Sequence, residues 1–176
     1  MMDRRGWIGC GIATLLVVTA GIASAMCGNG LLDNGETCAN CPADCAVQPC
    51  AATTARHTVT VNASAPEEQH VAGFTIVVGY RGAVLSLPGQ GADSSVRERV
   101  KNTPTEAIVA AYDRDYALRV VVSRSSAIPS GRLLTVDFDG CSGAAAPTTA
   151  DVSCMVEGCA NQFGAVVDCT CSITLP

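Results

Sequence analysis

Cysteines and oxygen-bearing side chains are concentrated in one short stretch, CGNGLLDNGETCANCPADC, which runs from Cys27 to Cys45. The pair Cys38-x-x-Cys41, followed by Cys45, has the spacing of zinc ligands, and a Cys-x-x-Cys pair can also be a redox centre. Calcium takes about six to eight oxygen ligands. The residues that could supply such oxygens are Asn29, Asp33, Asn34, Glu36 and Asp44.

The first 25 residues decide between these kinds of chemistry, because they indicate the compartment. Arg4 and Arg5 precede an almost wholly apolar run, residues 7–23, and Ala23-Ser24-Ala25 is a small-x-small cleavage signal. This layout is typical of a secretory signal peptide, with an uncleaved membrane anchor as the alternative. Export exposes thiols to oxidation and favours disulfides over zinc or a redox pair.

Ten cysteines remain after residues 1–25 are removed, and an even number in an exported chain predicts disulfides. Five lie in residues 26–50 and five in the last third of the chain, so neither set can pair completely by itself. We therefore predict one bridge between the two sets, with Cys50 as its N-terminal end; free thiols or an intermolecular link are the alternatives. Cys169 and Cys171 share one face of a strand, and we expect them to bind two different neighbouring strands. The ten candidates are Cys27, Cys38, Cys41, Cys45, Cys50, Cys141, Cys154, Cys159, Cys169 and Cys171.

The N-terminal stretch lacks the Asp-x-Asn-x-Asp-Gly pattern of a calcium-binding loop. Its glycines and Asn or Asp residues are also typical of tight turns. We expect no cofactor, and calcium at Asn29, Asp33, Glu36 and Asp44 stays open.

Two further groups could perform acid–base chemistry. His70 follows Glu67 and Glu68, and Asp137 and Asp139 lie two residues apart on the outward face of a predicted strand. A polar loop and a solvated strand face explain both groups, and the chain has no nucleophile elbow, His-Glu-x-x-His motif or phosphate-binding loop. The sequence therefore predicts that the protein is not an enzyme. Its net charge of −5 and single lysine argue against nucleic-acid binding.

From His57 onward the sequence repeatedly alternates between apolar and polar residues, which is the pattern of half-buried β-strands. Proline, glycine and aspartate turn signals separate these runs, including Asp113-Arg114-Asp115 and Gly140. The pattern predicts an all-β protein, an antiparallel jelly-roll sandwich of about nine strands. The predicted divisions are a signal peptide (1–25), a small disulfide-rich N-terminal module (26–50), a linker (51–56) and the sandwich (57–176).

The order of these strands resembles a cohesin-type domain over Thr58–Asp139. The segments that carry the resemblance are VAGFTIVVGYRGAVLSL, then RVKN, then AIVAAYDRDYALRVVVSRSSAIPSGRLLTVDFD. The resemblance implies a nine-stranded jelly roll that binds dockerin modules and shares its fold with carbohydrate-binding modules. The N-terminal stretch resembles short cysteine-rich repeats of secreted bacterial proteins.

These observations predict a non-catalytic interaction module that is secreted, at the cell surface or in the periplasm, with no membrane contact after signal cleavage. We expect its partner to be a secreted or surface protein, dockerin-like among them, in polysaccharide degradation or cell-surface assembly. Direct binding of polysaccharide, or a structural role in the envelope, are the alternatives. Because tyrosine and arginine are enriched at interfaces, the candidate binding residues are Tyr112, Asp113, Arg114, Asp115 and Tyr116.

Overall fold

The computed structural model describes residues 27, 28, 36, 39–44 and 50–176. The predicted signal peptide, the calcium candidates Asn29 and Asp33, and the cysteines Cys38 and Cys45 lie outside these residues. Within the described part of the chain, no helix is long and apolar enough to cross a membrane.

The described residues form nine strands and one short α-helix, α1 (Ser94–Arg97). Two single-turn 3₁₀ helices, Glu67–Gln69 and Thr149–Asp151, lie in the connections. The strands are β1 (Ala52–Ser64), β2 (Val71–Tyr80), β3 (Leu85–Ser86), β4 (Val100–Lys101), β5 (Ile108–Arg114), β6 (Ala117–Ser123), β7 (Gly131–Cys141), β8 (Val152–Asn161) and β9 (Thr170–Thr174).

The strands make two antiparallel sheets. We call them sheet A, with the order β3-β7-β1-β9 and β4 also paired to β7, and sheet B, with the order β5-β6-β2-β8. This arrangement confirms the predicted all-β sandwich of about nine strands.

The core lies between the sheets and consists of the residues that the alternation places inward. Successive side chains of a strand point to opposite faces, so alternate residues of β2, β6, β7 and the second half of β1 enter the core. In these four strands the apolar residues of the alternating sequence pattern are the ones that face inward. Fully buried examples are Val59 and Val61 in β1, Ile76 and Val78 in β2, Leu118, Val120 and Val122 in β6, and Leu134, Val136 and Phe138 in β7.

Strand boundaries differ from the sequence prediction in three places. β1 begins at Ala52, so residues 52–56, which the sequence suggests are a linker, belong to a strand whose Ala52 and Arg56 pair with β7. Gly140, which the sequence predicts to be a turn residue, lies inside β7. The turn between β5 and β6 consists of Asp115 and Tyr116, slightly later in the chain than the predicted turn Asp113-Arg114-Asp115. The third difference is α1 (Ser94–Arg97), a short helix in a chain whose pattern predicts strands, with β4 (Val100–Lys101) directly after it.

Four disulfides join described cysteines. Cys50 bonds to Cys141, which confirms the predicted bridge between the N-terminal stretch and the sandwich. Cys27 bonds to Cys41 within the N-terminal module.

The remaining two disulfides join the last strand to β8. Cys171 bonds to Cys154 and Cys169 to Cys159, so the two cysteines have different partners as predicted. The expectation of two different strands is wrong, because Cys154 and Cys159 both lie in β8. Since β8 is the last strand of sheet B and β9 the last strand of sheet A, the two bonds close one side of the sandwich.

Candidate functional site

The outer face of sheet B carries large apolar side chains in contact with solvent. Ile108 and Tyr112 in β5 are 77% and 46% exposed, and Val121 in β6 is 39% exposed. Strand register makes these residues neighbours, because Ala110 of β5 lies opposite Val121 and Tyr112 lies opposite Arg119. We call Ile108, Tyr112 and Val121 the sheet B patch.

An ion pair borders the patch. Arg119 of β6 reaches across β2 and bonds to Glu157 of β8, with its Nε 2.6 Å from the carboxylate. Its charge is therefore balanced on the same face. The combination is an apolar centre beside a polar, hydrogen-bonded edge, which is the usual composition of a protein–protein interface.

The outer face of sheet A has the opposite character, because ion pairs and hydroxyl groups cover it. Asp139 accepts two hydrogen bonds from the guanidinium of Arg99, at 2.9 and 3.0 Å, and also pairs with Arg56. Asp137 accepts from Thr58 at 2.8 Å and pairs with Lys101 at 2.8 Å. The hydrogen bond from Lys101 holds the pKa of Asp137 below its ordinary value. Both carboxylates are thus held in ion pairs and hydrogen bonds within sheet A.

The five candidate binding residues divide between the surface and the interior. Tyr112 belongs to the sheet B patch, and Arg114 and Asp115 are exposed and paired with each other at 3.1 Å. Asp113 is buried and Tyr116 is half-buried, so the structure does not present these two as surface contacts. The reason is the strand period: β5 continues through residue 113, which points inward like Ala111.

Asp113 forms a buried cluster with two tyrosines at the end of sheet B. The Tyr80 hydroxyl donates to its carboxylate, and the Tyr80 ring meets that of Tyr116 edge-on, with centroids 5.8 Å apart. Burial raises the pKa of Asp113 to about 6, against the lowering effect of the Tyr80 hydrogen bond. Burial also raises the pKa of Tyr80, which therefore stays a donor.

The hairpin turn beside this cluster has an unusual composition. Asp115 and Tyr116 have φ of 56° and 61°, the left-handed values that two-residue hairpin turns require and that Asn-Gly usually supplies. Tyr116 can fold back onto Tyr80 only because residue 82 is glycine: a Cβ at Gly82 would lie 2.3 Å from the Tyr116 ring.

The described part of the N-terminal module shows how its polar residues are used. Both carboxylate oxygens of Asp44 accept the Gly28 N–H, at 2.8 and 2.9 Å. Cys27, Cys41 and Asp44 hold their ligand-type atoms within 4.8 Å of one another. The two sulfurs are joined in a disulfide, so they lack the thiolate charge that binds a metal. Calcium at Glu36 and Asp44 stays open.

The sequence prediction missed the most exposed apolar residues. Ile108 sits in AIVAAY, where both strand faces are apolar and alternation does not distinguish inside from outside. Phe163 and Val166, which are 84% and 87% exposed, lie in the loop between β8 and β9. In the sequence, the apolar pair Val166-Val167 between Gly164 and Cys169 is the only sign of exposed apolar residues in this loop.

The fold places the chain among antiparallel two-sheet β-sandwiches. No protein-family model and no curated protein matches it. Among solved structures, it is similar to a chain of a novel type I cohesin–dockerin complex from Clostridium thermocellum. The sequences are 12% identical, the match covers 67% of this chain and 84% of that chain, and the TM-score is 0.44.

Proposed function

We propose that this protein is a non-catalytic extracellular interaction module that binds a protein partner through the sheet B patch. The observation that supports this most is the exposure of Ile108, Tyr112 and Val121 on one face of sheet B. Burying such side chains contributes about 25 cal/mol per Å² of apolar area, which favours association.

The contrast between the two outer faces selects sheet B over sheet A. Arg99 and Lys101 already neutralise the acidic residues of sheet A, so a partner there would have to replace existing ion pairs. At the sheet B patch a partner would displace only water from apolar atoms. Interface centres are depleted in charge and enriched in aromatic side chains, which describes this patch and not the other face.

The resemblance of the sequence to cohesin-type domains makes a dockerin-like module the first partner to test, followed by other secreted or surface proteins. The four disulfides among described cysteines are typical of proteins in an oxidising compartment, which supports an extracellular location. The proposed binding requires no cofactor.

Direct binding of polysaccharide is the second candidate, and the exposed ring of Tyr112 favours it. The apolar face of a sugar stacks on an aromatic ring. Within the patch, however, Tyr112 is the single aromatic residue beside two aliphatic ones, a composition that suits a protein partner better than a sugar chain.

A binding screen separates these candidates. The disulfide-bonded protein is tested against dockerin-like and other secreted proteins of the same organism, and separately against insoluble polysaccharides. We expect the protein to capture a defined partner protein. The double variant Ile108→Ser/Val121→Ser should bind that partner at least roughly tenfold more weakly, because interface residues of this kind contribute more than about 1.4 kcal/mol to binding. Arg132→Ser, which truncates an exposed side chain of sheet A away from both the patch and the β8–β9 loop, is the control and should bind normally.

The opposite results would overturn the proposal. Normal partner binding by the Ile108→Ser/Val121→Ser variant would exclude the sheet B patch. Retention on a polysaccharide that is lost in Tyr112→Ala would favour the second candidate instead.

A further inference from the structure

A cleft opens at one end of the sandwich, where the β1–β2 connection faces the β6–β7 connection. Its volume is about 250 Å³, slightly below the roughly 300–1,000 Å³ of pockets that enclose drug-sized ligands. The cleft is therefore suited to one long side chain. Its apolar walls are Ala65, Pro66, Val71, Ala127, Ile128 and Pro129.

Hydrogen bonds between the two connections hold the cleft open. The Ser130 hydroxyl donates to the Ala65 carbonyl and accepts the Ala65 N–H, both at 3.2 Å. The Ile128 N–H donates to the Val71 carbonyl at 2.7 Å. These bonds join the walls directly, so the cleft is already formed before any ligand binds.

Two ionisable side chains complete the lining, Glu67 and His70, and none of the lining residues is a lysine or an arginine. His70 has a φ of 46°, a left-handed value that is uncommon for residues other than glycine. Its carbonyl accepts the Gln162 N–H at 3.3 Å, which connects the cleft to the β8–β9 loop. The cleft thus combines apolar walls with a carboxylate, a composition that suits an alkyl chain with a cationic end.

The adjoining β8–β9 loop presents Phe163 and Val166 in a fixed conformation. The Asn161 side-chain oxygen accepts the N–H groups of Phe163 and Ala165, each at 3.0 Å. The Cys159–Cys169 disulfide closes the base of the loop. An exposed aromatic residue on a braced loop loses little conformational freedom on binding, which favours its use as an anchor.

We propose that this end of the sandwich is a second docking site, which receives a lysine or arginine side chain of a partner protein. The alkyl stem lies against Pro66, Ala127 and Pro129, which are the exposed apolar residues of the lining, and the cationic group pairs with Glu67. Apolar residues of the partner next to that side chain pack on Phe163 and Val166, which is why the ligand is a protein segment and not a free amine. The site is separate from the sheet B patch and independent of its proposed role.

The test uses the complete disulfide-bonded protein and NMR titration of backbone amides. The probe is the blocked peptide acetyl-Leu-Gly-Lys-Gly-Leu-amide, compared with the same peptide containing norleucine, which keeps the stem and lacks the ammonium group. A third titration uses n-butylammonium. We expect the lysine peptide to shift the amides of Val71, Ile128, Gln162 and Gly164, and to bind roughly fivefold more tightly than the norleucine peptide, as for a partly exposed ion pair.

Variants locate the contacts. Glu67→Gln should weaken the lysine peptide roughly fivefold, whereas Glu68→Gln, its exposed neighbour outside the lining, should leave binding unchanged. Phe163→Ser and Val166→Ser should each weaken the peptide and not butylammonium, and the spectra themselves report whether each variant is folded.

Three results would overturn the proposal. They are the absence of shifts at the cleft, equal binding of the lysine and norleucine peptides, and equal effects of Glu67→Gln and Glu68→Gln. Binding of butylammonium as tight as that of the peptide, with no effect of Phe163→Ser, would overturn the assignment of a protein ligand.

Discussion

The Tyr80 hydroxyl lies 3.0 and 2.9 Å from the two carboxylate oxygens of Asp113 and donates its hydrogen bond to them inside the sandwich. The two residues come from β2 and β5, which lie on either side of β6 in sheet B. The backbone of Asp113 also bonds to Gly91 in both directions, at 2.6 and 2.9 Å. Asp113, the neighbour of the exposed Tyr112, is thus held by both side-chain and backbone hydrogen bonds.

Changing Asp113 to Asn should reduce the pH dependence of stability. Burial raises the pKa of Asp113 from 3.8 to about 6, so folding favours the protonated carboxyl. Its contribution is complete below about pH 3.8 and is lost as the pH rises through about 6. Asp113→Asn keeps an acceptor for Tyr80 without the charge, and should be more stable than the parent at pH 7 by roughly 2 kcal/mol.

Urea unfolding between pH 4 and pH 8 measures this difference. Parallel curves for the parent protein and Asp113→Asn would show that Asp113 does not cause the pH dependence. Asp115→Asn is the control for loss of a carboxylate at the exposed turn.

Gly82→Ala should destabilise the protein through Tyr116. The added Cβ would lie 2.3 Å from the Tyr116 ring, so the ring must leave its contact with Tyr80. Overpacking of this kind costs about 1–3 kcal/mol. In a protein that already carries Tyr116→Ala, the Gly82→Ala change should lower the free energy of unfolding much less.

A double-mutant cycle in urea unfolding measures the coupling between positions 82 and 116. Equal costs of Gly82→Ala in both backgrounds would contradict the contact.

Arg99→Ala should cost more stability than Arg56→Ala, although both arginines bind Asp139. Arg99 is mostly buried and makes the two-bonded contact, whereas Arg56 is mostly exposed. Removing Arg99 leaves a buried carboxylate with one exposed partner, at a cost of about 2–3 kcal/mol. Removing Arg56 should cost less than about 1 kcal/mol. Thermal or urea unfolding of the two variants checks the order, and equal losses would refute it.

Removing the Cys50–Cys141 disulfide should destabilise the protein more than removing Cys154–Cys171. The first bond spans 91 residues and the second 17. The chain-entropy account predicts losses of about 4–5 and about 3 kcal/mol, because a longer loop restricts the unfolded chain more. Paired Cys→Ser variants, compared by unfolding under non-reducing conditions, test the order.

Peptide mapping without reductant provides an independent check of the same bond. A digest of the parent protein should contain one peptide that joins Cys50 to Cys141. The absence of that peptide would refute the bridge.

Local pattern was enough to predict the fold class and the core. The period of two in HTVTVNAS and RLLTVDFDG assigns Val59, Val61, Val136 and Phe138 to one face, because backbone geometry alone determines that alternation. The odd number of cysteines at each end of the chain was likewise enough to predict the bridge from Cys50.

The candidate site was predicted only in part. Tyr112 was identified correctly as exposed, but Asp113 was expected beside it at the surface, since aspartate is usually a turn residue. The continued pairing of β5 with β6 turns this residue inward, where the hydrogen bond from the Tyr80 hydroxyl partly compensates for the burial of its carboxylate. Ile108 could not be separated from core residues, because its neighbours in sequence are also apolar, whereas alternation in β6 places Val121 on the face opposite Leu118, Val120 and Val122.

The sequence by itself determined which residues share a strand face, because that property depends on the backbone period within a few residues. Tertiary structure alone decided which strands meet: that Cys169 and Cys171 both reach β8, that Gly82 makes room for Tyr116, and that two loops enclose the cleft beside His70. Those contacts depend on register and sheet order between distant segments. Packing of the whole sandwich sets them, and no local pattern encodes them.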